Sequence, residues 1–143
     1  MSKSEWMKSF DNPTEFQKMI ELKSFIIQKK DGTRIGLIHH RANQPYGTME
    51  IGYFLSPAKE RGYGTEAVQL VVDYLFLSKD IVRIEATTNV GNKASQRVLE
   101  KAGFKIEGTI RKLALVRGVW TDHYLLSILR EEWKEPKILT KTA

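Results

Sequence analysis

The sequence predicts an α/β (α+β) domain in which a mixed, mostly antiparallel twisted sheet carries helices against it. Three features support this. Two β-rich runs meet at Asp31-Gly32, a strand-helix-strand order runs from residue 48 to residue 88, and two more β-rich runs meet at Arg117-Gly118. Hairpins make antiparallel ladders, whereas a strand that returns through a helix lies parallel to its predecessor with a right-handed crossover. With 143 residues, 41% of them hydrophobic, the chain can bury one core but not two, so residues 1–143 read as a single domain.

The elements follow in order. "EWMKSFDNPTEFQKMIE" has helical spacing at Trp6, Phe10, Phe16 and Met19 to Ile20, with Pro13 as a first-turn proline, and predicts one or two short helices. "KSFIIQKKDGTRIGLIHH" predicts two strands joined by a tight turn at Asp31-Gly32, residues that tolerate positive φ. The polar loop "RANQPYG" leads to a third strand, "TMEIGYFLS", ended by Pro57. "TEAVQLVVDYLFLSKD" places apolar residues at 67, 68, 71, 72 and 75 among good helix formers, the pattern of a buried helix. "IVRIEATTN" reads as a short strand. "NKASQRVLEKAGF" reads as a helix with Ala94, Val98, Leu99 and Ala102 on one face and Gly103 as its C-terminal cap. "FKIEGTIRKLALV" and "DHYLLSILR" complete the sheet, and the polar tail "EEWKEPKILTKTA" is expected to be loose at its end.

Composition narrows the chemistry. There is no cysteine, hence no disulfide, thiolate site or cysteine nucleophile, and His39, His40 and His123 lack ligand spacing, so no metal site is expected. No apolar run approaches the roughly 18 residues that span a bilayer, and "MSKSEWMKSF" does not resemble a secretion signal. A soluble, cytoplasmic protein with no membrane partner is the expectation. The net charge of +6 is compatible with a polyanionic partner. Lys and Arg are scattered, however, without the aromatic-basic interleaving of RNA-binding segments, so a nucleic-acid-binding module is the weaker reading.

The informative stretch is "ERGYGTEAV", residues 60–68. Gly62 and Gly64 stand between a strand end and a helix start, where unpaired N–H groups and the helix dipole favour an anion and absent side chains allow close approach. The motif lacks the Lys-Ser/Thr ending of a nucleotide-binding P-loop and the third glycine of the dinucleotide fingerprint. Taken alone, such a glycine pair is more often a simple turn than a phosphate site.

"IGYFLSPAKERGYGTEAV" followed by "NKASQRVLEKAGF" resembles the acetyl-CoA-binding core of the GNAT acetyltransferases, and within them the bacterial ribosomal-protein N-terminal acetyltransferases. The likeness runs from "FIIQKKDGTRIGLI" to "DHYLLSILREEW". It implies an acetyl-CoA cosubstrate whose pyrophosphate is held by the backbone amides of Arg61, Gly62, Tyr63, Gly64 and Thr65. The pantetheine arm would pair with the strand end at Phe54 and Leu55, and a bulge in that strand would splay it from "IEATTN" to admit the thioester. Lys59 stands where the family usually has Gln, Arg or Trp, which removes a side-chain contact and leaves the amides in place.

The resemblance further implies Asn92 as a CoA contact and Ser95 as the acid for the departing thiolate. Read from the residues alone, Asn92 is a helix N-cap and Ser95 a surface residue. Glu50, on the strand expected to line the thioester, is the candidate base, beside the plainer reading of a solvated strand carboxylate. Tyr53 and Tyr124 are alternative hydroxyl donors with the character of packing residues.

The implied reaction is acetyl transfer to a primary amine, either a protein N-terminal α-amino group or a small molecule such as a polyamine or aminoglycoside. A catalytically silent CoA-binding module is the other class to be distinguished, and nucleic acid enters only indirectly, through a ribosomal protein. Relatives carry a further strand and helix ahead of "EWMKSF" that this sequence lacks. The expectation is therefore a shortened form, or a partner subunit, as in a homodimer, covering the bare sheet edge.

Overall fold

The computed structural model describes residues 23–43, 47–56 and 62–139, so the helices expected between Trp6 and Ile20 lie outside the described residues. The elements are β1 (Lys23–Gln28), β2 (Arg34–Asn43), β3 (Thr48–Leu55), α1 (Tyr63–Ser78), β4 (Arg83–Asn89), α2 (Lys93–Lys101), β5 (Lys105–Val116), β6 (Val119–Leu129) and α3 (Arg130–Trp133). The strands form one sheet in the order β1-β2-β3-β4-β6-β5. Every neighbouring pair is antiparallel except β3–β4, the parallel pair expected from the strand-helix-strand segment.

Both tight turns fall where turn chemistry places them. Gly32 takes φ 93° and donates its N–H to the Lys29 carbonyl at 2.9 Å, while the Asp31 carboxylate accepts the Thr33 N–H at 2.8 Å. Arg117 and Gly118 both have positive φ, 49° and 78°, the geometry whose twist matches paired strands. This turn pairs Val116 directly with Val119, so β6 begins three residues before the expected Asp122.

The core forms between the sheet and α1 with α2. Ile38 and Ile51 from the strands, Val68 and Leu75 from α1, Leu99 from α2 and Leu126 from β6 are all essentially inaccessible to water. Gly103 closes α2 at φ 100°, and the Phe104 N–H reaches back to the Leu99 carbonyl at 3.0 Å. The inward face of α2 differs from expectation: Ala94 is exposed and Gln96 is buried. Its amide is satisfied there, because Nε2 donates to the Val90 carbonyl at 3.0 Å. A polar side chain can take a core position when a strand-to-helix turn turns a carbonyl toward it.

The segment after β6 is held down as far as Leu139, more firmly than its polar composition suggests. Trp133 is buried against Phe76, ring centroids 5.1 Å apart, and its indole N–H donates to the carboxylate of Asp73 in α1 at 2.8 Å. The backbone N–H groups of Lys137, Ile138 and Leu139 converge on the same carboxylate at 2.7–3.0 Å. Burial pushes the Asp73 carboxyl up. The bonds from Trp133 and from the N–H groups of Ile138, Leu139 and Lys137 outweigh it and hold the group below the ordinary aspartate value.

Asp73→Asn is expected to lose about 2–3 kcal/mol of stability at pH 7, because charge-assisted bonds are weakened and an amide N–H is turned against donors. With the folded pKa below the unfolded one, the carboxylate's contribution is complete above about pH 4 and disappears as pH falls through the folded value. Urea midpoints of wild type and variant should therefore draw progressively together as pH falls below about 4, and equal midpoints at pH 7 would refute the role.

Candidate active site

The parallel ladder is short. Thr48, Met49 and Glu50 pair with Arg83, Ile84 and Glu85, and there it stops. Among the described residues, β3 beyond Glu50 continues to Leu55 paired only with β2, and β4 beyond Glu85 continues to Asn89 paired only with β6. The sheet therefore opens into a wedge, with strand-edge N–H and C=O groups of β3 facing the gap. The β2–β3 register is unbroken from Asn43↔Thr48 to Gly36↔Leu55. Divergence after Glu50 makes the opening, rather than the bulge that the resemblance implied, and no register shift against β2 accompanies it.

α1 begins beside the β3 end of this wedge. Gly62 is its N-cap with φ 90°, no side chain caps the helix among the described residues, and the first helical bond runs from the Glu66 N–H to the Gly62 carbonyl at 3.0 Å. The N–H groups of Tyr63, Gly64 and Thr65 thus form the uncapped first turn. The helix starts two residues before the expected Thr65, which moves Gly64 inside it. Gly64 is buried, and a Cβ there would stand 2.9 Å from Leu55 Cδ1 and 3.3 Å from Val98 Cγ2. Its missing side chain is filled by β3 and α2, whereas at Gly62 nothing among the described residues lies within 4 Å of a Cβ. Arg61 and Lys59 lie outside the described residues.

Tyr53, Phe54 and Leu55 of β3 face Asn92, Ala94, Ser95 and Val98 around a cleft of about 260 Å³. Five of the residues singled out in the sequence, Tyr53, Phe54, Leu55, Asn92 and Ser95, come together here. Asn92 is the N-cap of α2, and its Oδ1 accepts the Ser95 N–H at 3.1 Å. The Ser95 hydroxyl lies 2.7 Å from the Tyr53 phenol, which is also 3.2 Å from the Ser95 carbonyl. Burial raises the Tyr53 phenol above its ordinary pKa, and the Ser95 bond offsets only part of that. Tyr124 pairs with Thr88 and packs against the core.

Glu50 occupies the other face of the sheet. Alternation along β3 sends Met49 and Ile51 into the core and Glu50 away from it, at the apex of the wedge. Its Oε2 accepts from Arg41 Nη2 at 3.1 Å and Arg41 Nε at 3.3 Å. Asn43 Nδ2 lies 3.4 Å from the same oxygen and donates at 2.6 Å to Glu85, the residue opposite Glu50. Arg83 Nη2 and Nε hold Glu85 at 2.7 and 3.1 Å and its Nη1 reaches Glu107. This polar stripe was missed in the sequence, since cross-strand neighbours carry no short-range signal.

An acetyltransferase (GNAT) domain model matches residues 2–105. The chain belongs to the GNAT acetyltransferase family. The probable N-acetyltransferase YjcK of Bacillus subtilis is 51% identical over 86 residues, 59% of this chain and 48% of that protein. The putative ribosomal N-acetyltransferase YdaF of the same species is 33% identical over 109 residues, 75% of this chain and 60% of that protein. Among solved structures, a GNAT-family acetyltransferase from Bacillus anthracis superposes with a TM-score of 0.69 at 33% identity, over 76% of this chain and 67% of that one. The chain spans about half the length of the curated relatives it matches first.

GNAT acetyltransferases use acetyl-CoA, and the residues present suit that molecule. An uncapped helix start suits phosphate, an unpaired strand edge suits the amide-bearing pantetheine arm, and the cleft between Leu55 and Ser95 suits the thioester. Among the described residues no helix is long and apolar enough to cross a membrane, and no cluster of three His, Asp or Glu is placed to hold a metal ion.

Gly62→Ala is expected to cost about 1–2 kcal/mol through its left-handed backbone, since the added methyl meets nothing among the described residues. Gly64→Val should instead act by displacing Leu55 and Val98, and so should narrow the cleft and weaken CoA binding at least tenfold. Urea unfolding and calorimetric CoA titration of both variants separate strain from obstruction, and undiminished CoA affinity in Gly64→Val would refute the packing role.

Proposed function

We propose that this chain transfers an acetyl group from acetyl-CoA to a primary amine, with a protein N-terminal α-amino group as the acceptor. The observation that carries this reading is the wedge itself: it opens between the α1 start and Ser95 on one face and Glu50 on the other. A donor laid along β3 and an amine arriving from the face opposite the helices would meet in the gap. The name of YdaF, a putative ribosomal N-acetyltransferase, favours a protein acceptor over a polyamine.

Bound acetyl-CoA supplies an acetyl thioester, activated toward nucleophiles. The backbone amides of Arg61 to Thr65 would hold its phosphates, with Asn92 close by, and the edge of β3 at Phe54 and Leu55 would align its arm. Glu50 would take a proton from the incoming amine. An α-amino group has a pKa near about 8, so a carboxylate reached through one water suffices. Arg41 and Asn43 engage Oε2, and among the described residues no hydrogen bond to Oε1 is made, which leaves that oxygen for the amine or its water. As the C–N bond forms and the C–S bond breaks, the electron pair passes to sulfur and Ser95 Oγ gives it a proton, recovered from solvent.

Purified chain should transfer label from radioactive acetyl-CoA to a peptide with a free N-terminal alanine. An N-terminally blocked copy of the peptide should stay unlabelled. Labelling of spermidine in preference to the peptide would establish the small-molecule alternative. Acetyl-CoA binding without transfer to any amine would establish a silent module.

Ser95→Ala should lower kcat by about 10²-fold while leaving acetyl-CoA affinity nearly unchanged, because proton donation matters chiefly in the transition state. Wild-type kcat in this variant, with an acceptor turned over at a chemistry-limited rate, would remove Ser95 from the role of acid.

A further inference from the structure

We propose that Tyr53 is the positioning residue for Ser95: its phenol fixes the serine hydroxyl at the cleft and frees the serine's own proton for the departing sulfur. The inference rests on the role given to Ser95 above. A serine on a helix ordinarily has a rotating hydroxyl or one that bonds the carbonyl three or four residues back. Here Ser95 Oγ lies 2.7 Å from the Tyr53 oxygen, across the gap from β3 to α2. Tyr53 packs against the core through its ring, so phenylalanine would serve for packing alone.

The proton inventory gives the pair its use. Each hydroxyl has one proton, and the Ser95 carbonyl, 3.2 Å from the phenol, can only accept. In one arrangement Oγ donates to the phenol and the phenol to the carbonyl, and the cleft sees no donor. In the other the phenol donates to Oγ, and the serine proton is free to point into the cleft. The two interconvert by turning hydroxyl hydrogens, with no heavy atom moving. Negative charge developing on sulfur favours the second, and the phenol then also steadies the oxygen that gives up its proton. Tyr53 keeps its own proton throughout, because burial raises its pKa.

The test is a kinetic and spectroscopic comparison of wild type, Tyr53→Phe, Ser95→Ala and the double variant, each shown to be folded by circular dichroism. Tyr53→Phe should lower kcat at least tenfold with the acetyl-CoA KM within twofold, and the double variant should be no slower than Ser95→Ala alone. Independently of activity, the Tyr53 ring, followed by carbon NMR of labelled tyrosine, should titrate at higher pH in Ser95→Ala, which removes a bond that favours the phenolate. Wild-type kcat in Tyr53→Phe, additive losses in the double variant, or an unmoved Tyr53 titration would each overturn the proposal. A slow Tyr53→Phe beside a fully active Ser95→Ala would make the phenol itself the donor, defeating both this inference and the serine's role while leaving acetyl transfer standing.

Discussion

Three pairs of parallel residues join the two halves of this sheet, and the rest of the molecule depends on where that ladder ends. Had Ile51 to Leu55 stayed in register with β4, their edge groups would be consumed in strand pairing and no gap would face α1. A strand edge left unpaired inside a protein needs something to satisfy it or hold it apart. Here the helices do the holding. Gly64 lets α1 settle against Leu55 and Val98, so one residue without a side chain sets how closely β3, α1 and α2 approach one another.

Charge is distributed unequally over the two faces. On the helix side the polar groups lining the cleft among the described residues are neutral: the Tyr53 and Ser95 hydroxyls and the Asn92 amide. On the other side Arg41, Asn43, Glu50, Glu85, Arg83 and Glu107 form a continuous run of hydrogen bonds across β2, β3, β4 and β5. Each of its carboxylates has a guanidinium partner, so carboxylates as near as Glu50 and Glu85 share a surface without mutual repulsion dominating. The neutral side suits the donor's thioester, and the charged side suits proton removal from an amine.

Local chemistry was the legible part of the sequence. The turns at Gly32 and Gly118, the strand from Thr48, the cap at Asn92 and the stop at Gly103 are decided within a few residues. Each appeared where its residue types put it. Gly62 and Gly64 were readable as a pair but not as individuals: one needs left-handed backbone and the other needs space, and only the packing of Leu55 and Val98 separates them. The bulge attributed to β3 was a family habit that no residue in the strand requires. Contacts between distant segments had no signature: Tyr53 meets Ser95 at a separation of 42 residues, and Asn43 meets Glu85 at the same separation. Nothing near Asp73 in the sequence announces its burial, since the donors that justify it lie some sixty residues later.

That late arrival bears on how the molecule is made. Asp73 sits at the centre of α1 with its carboxylate shielded from water, and its donors come from Trp133 and residues 137–139. Until they emerge from the ribosome, docking α1 onto the sheet would bury an uncompensated negative charge. At about 5–20 residues per second, the 64 residues that follow Asp73 up to and including Lys137 take several seconds to synthesise. During that interval the apolar face of α1 has no finished place to go.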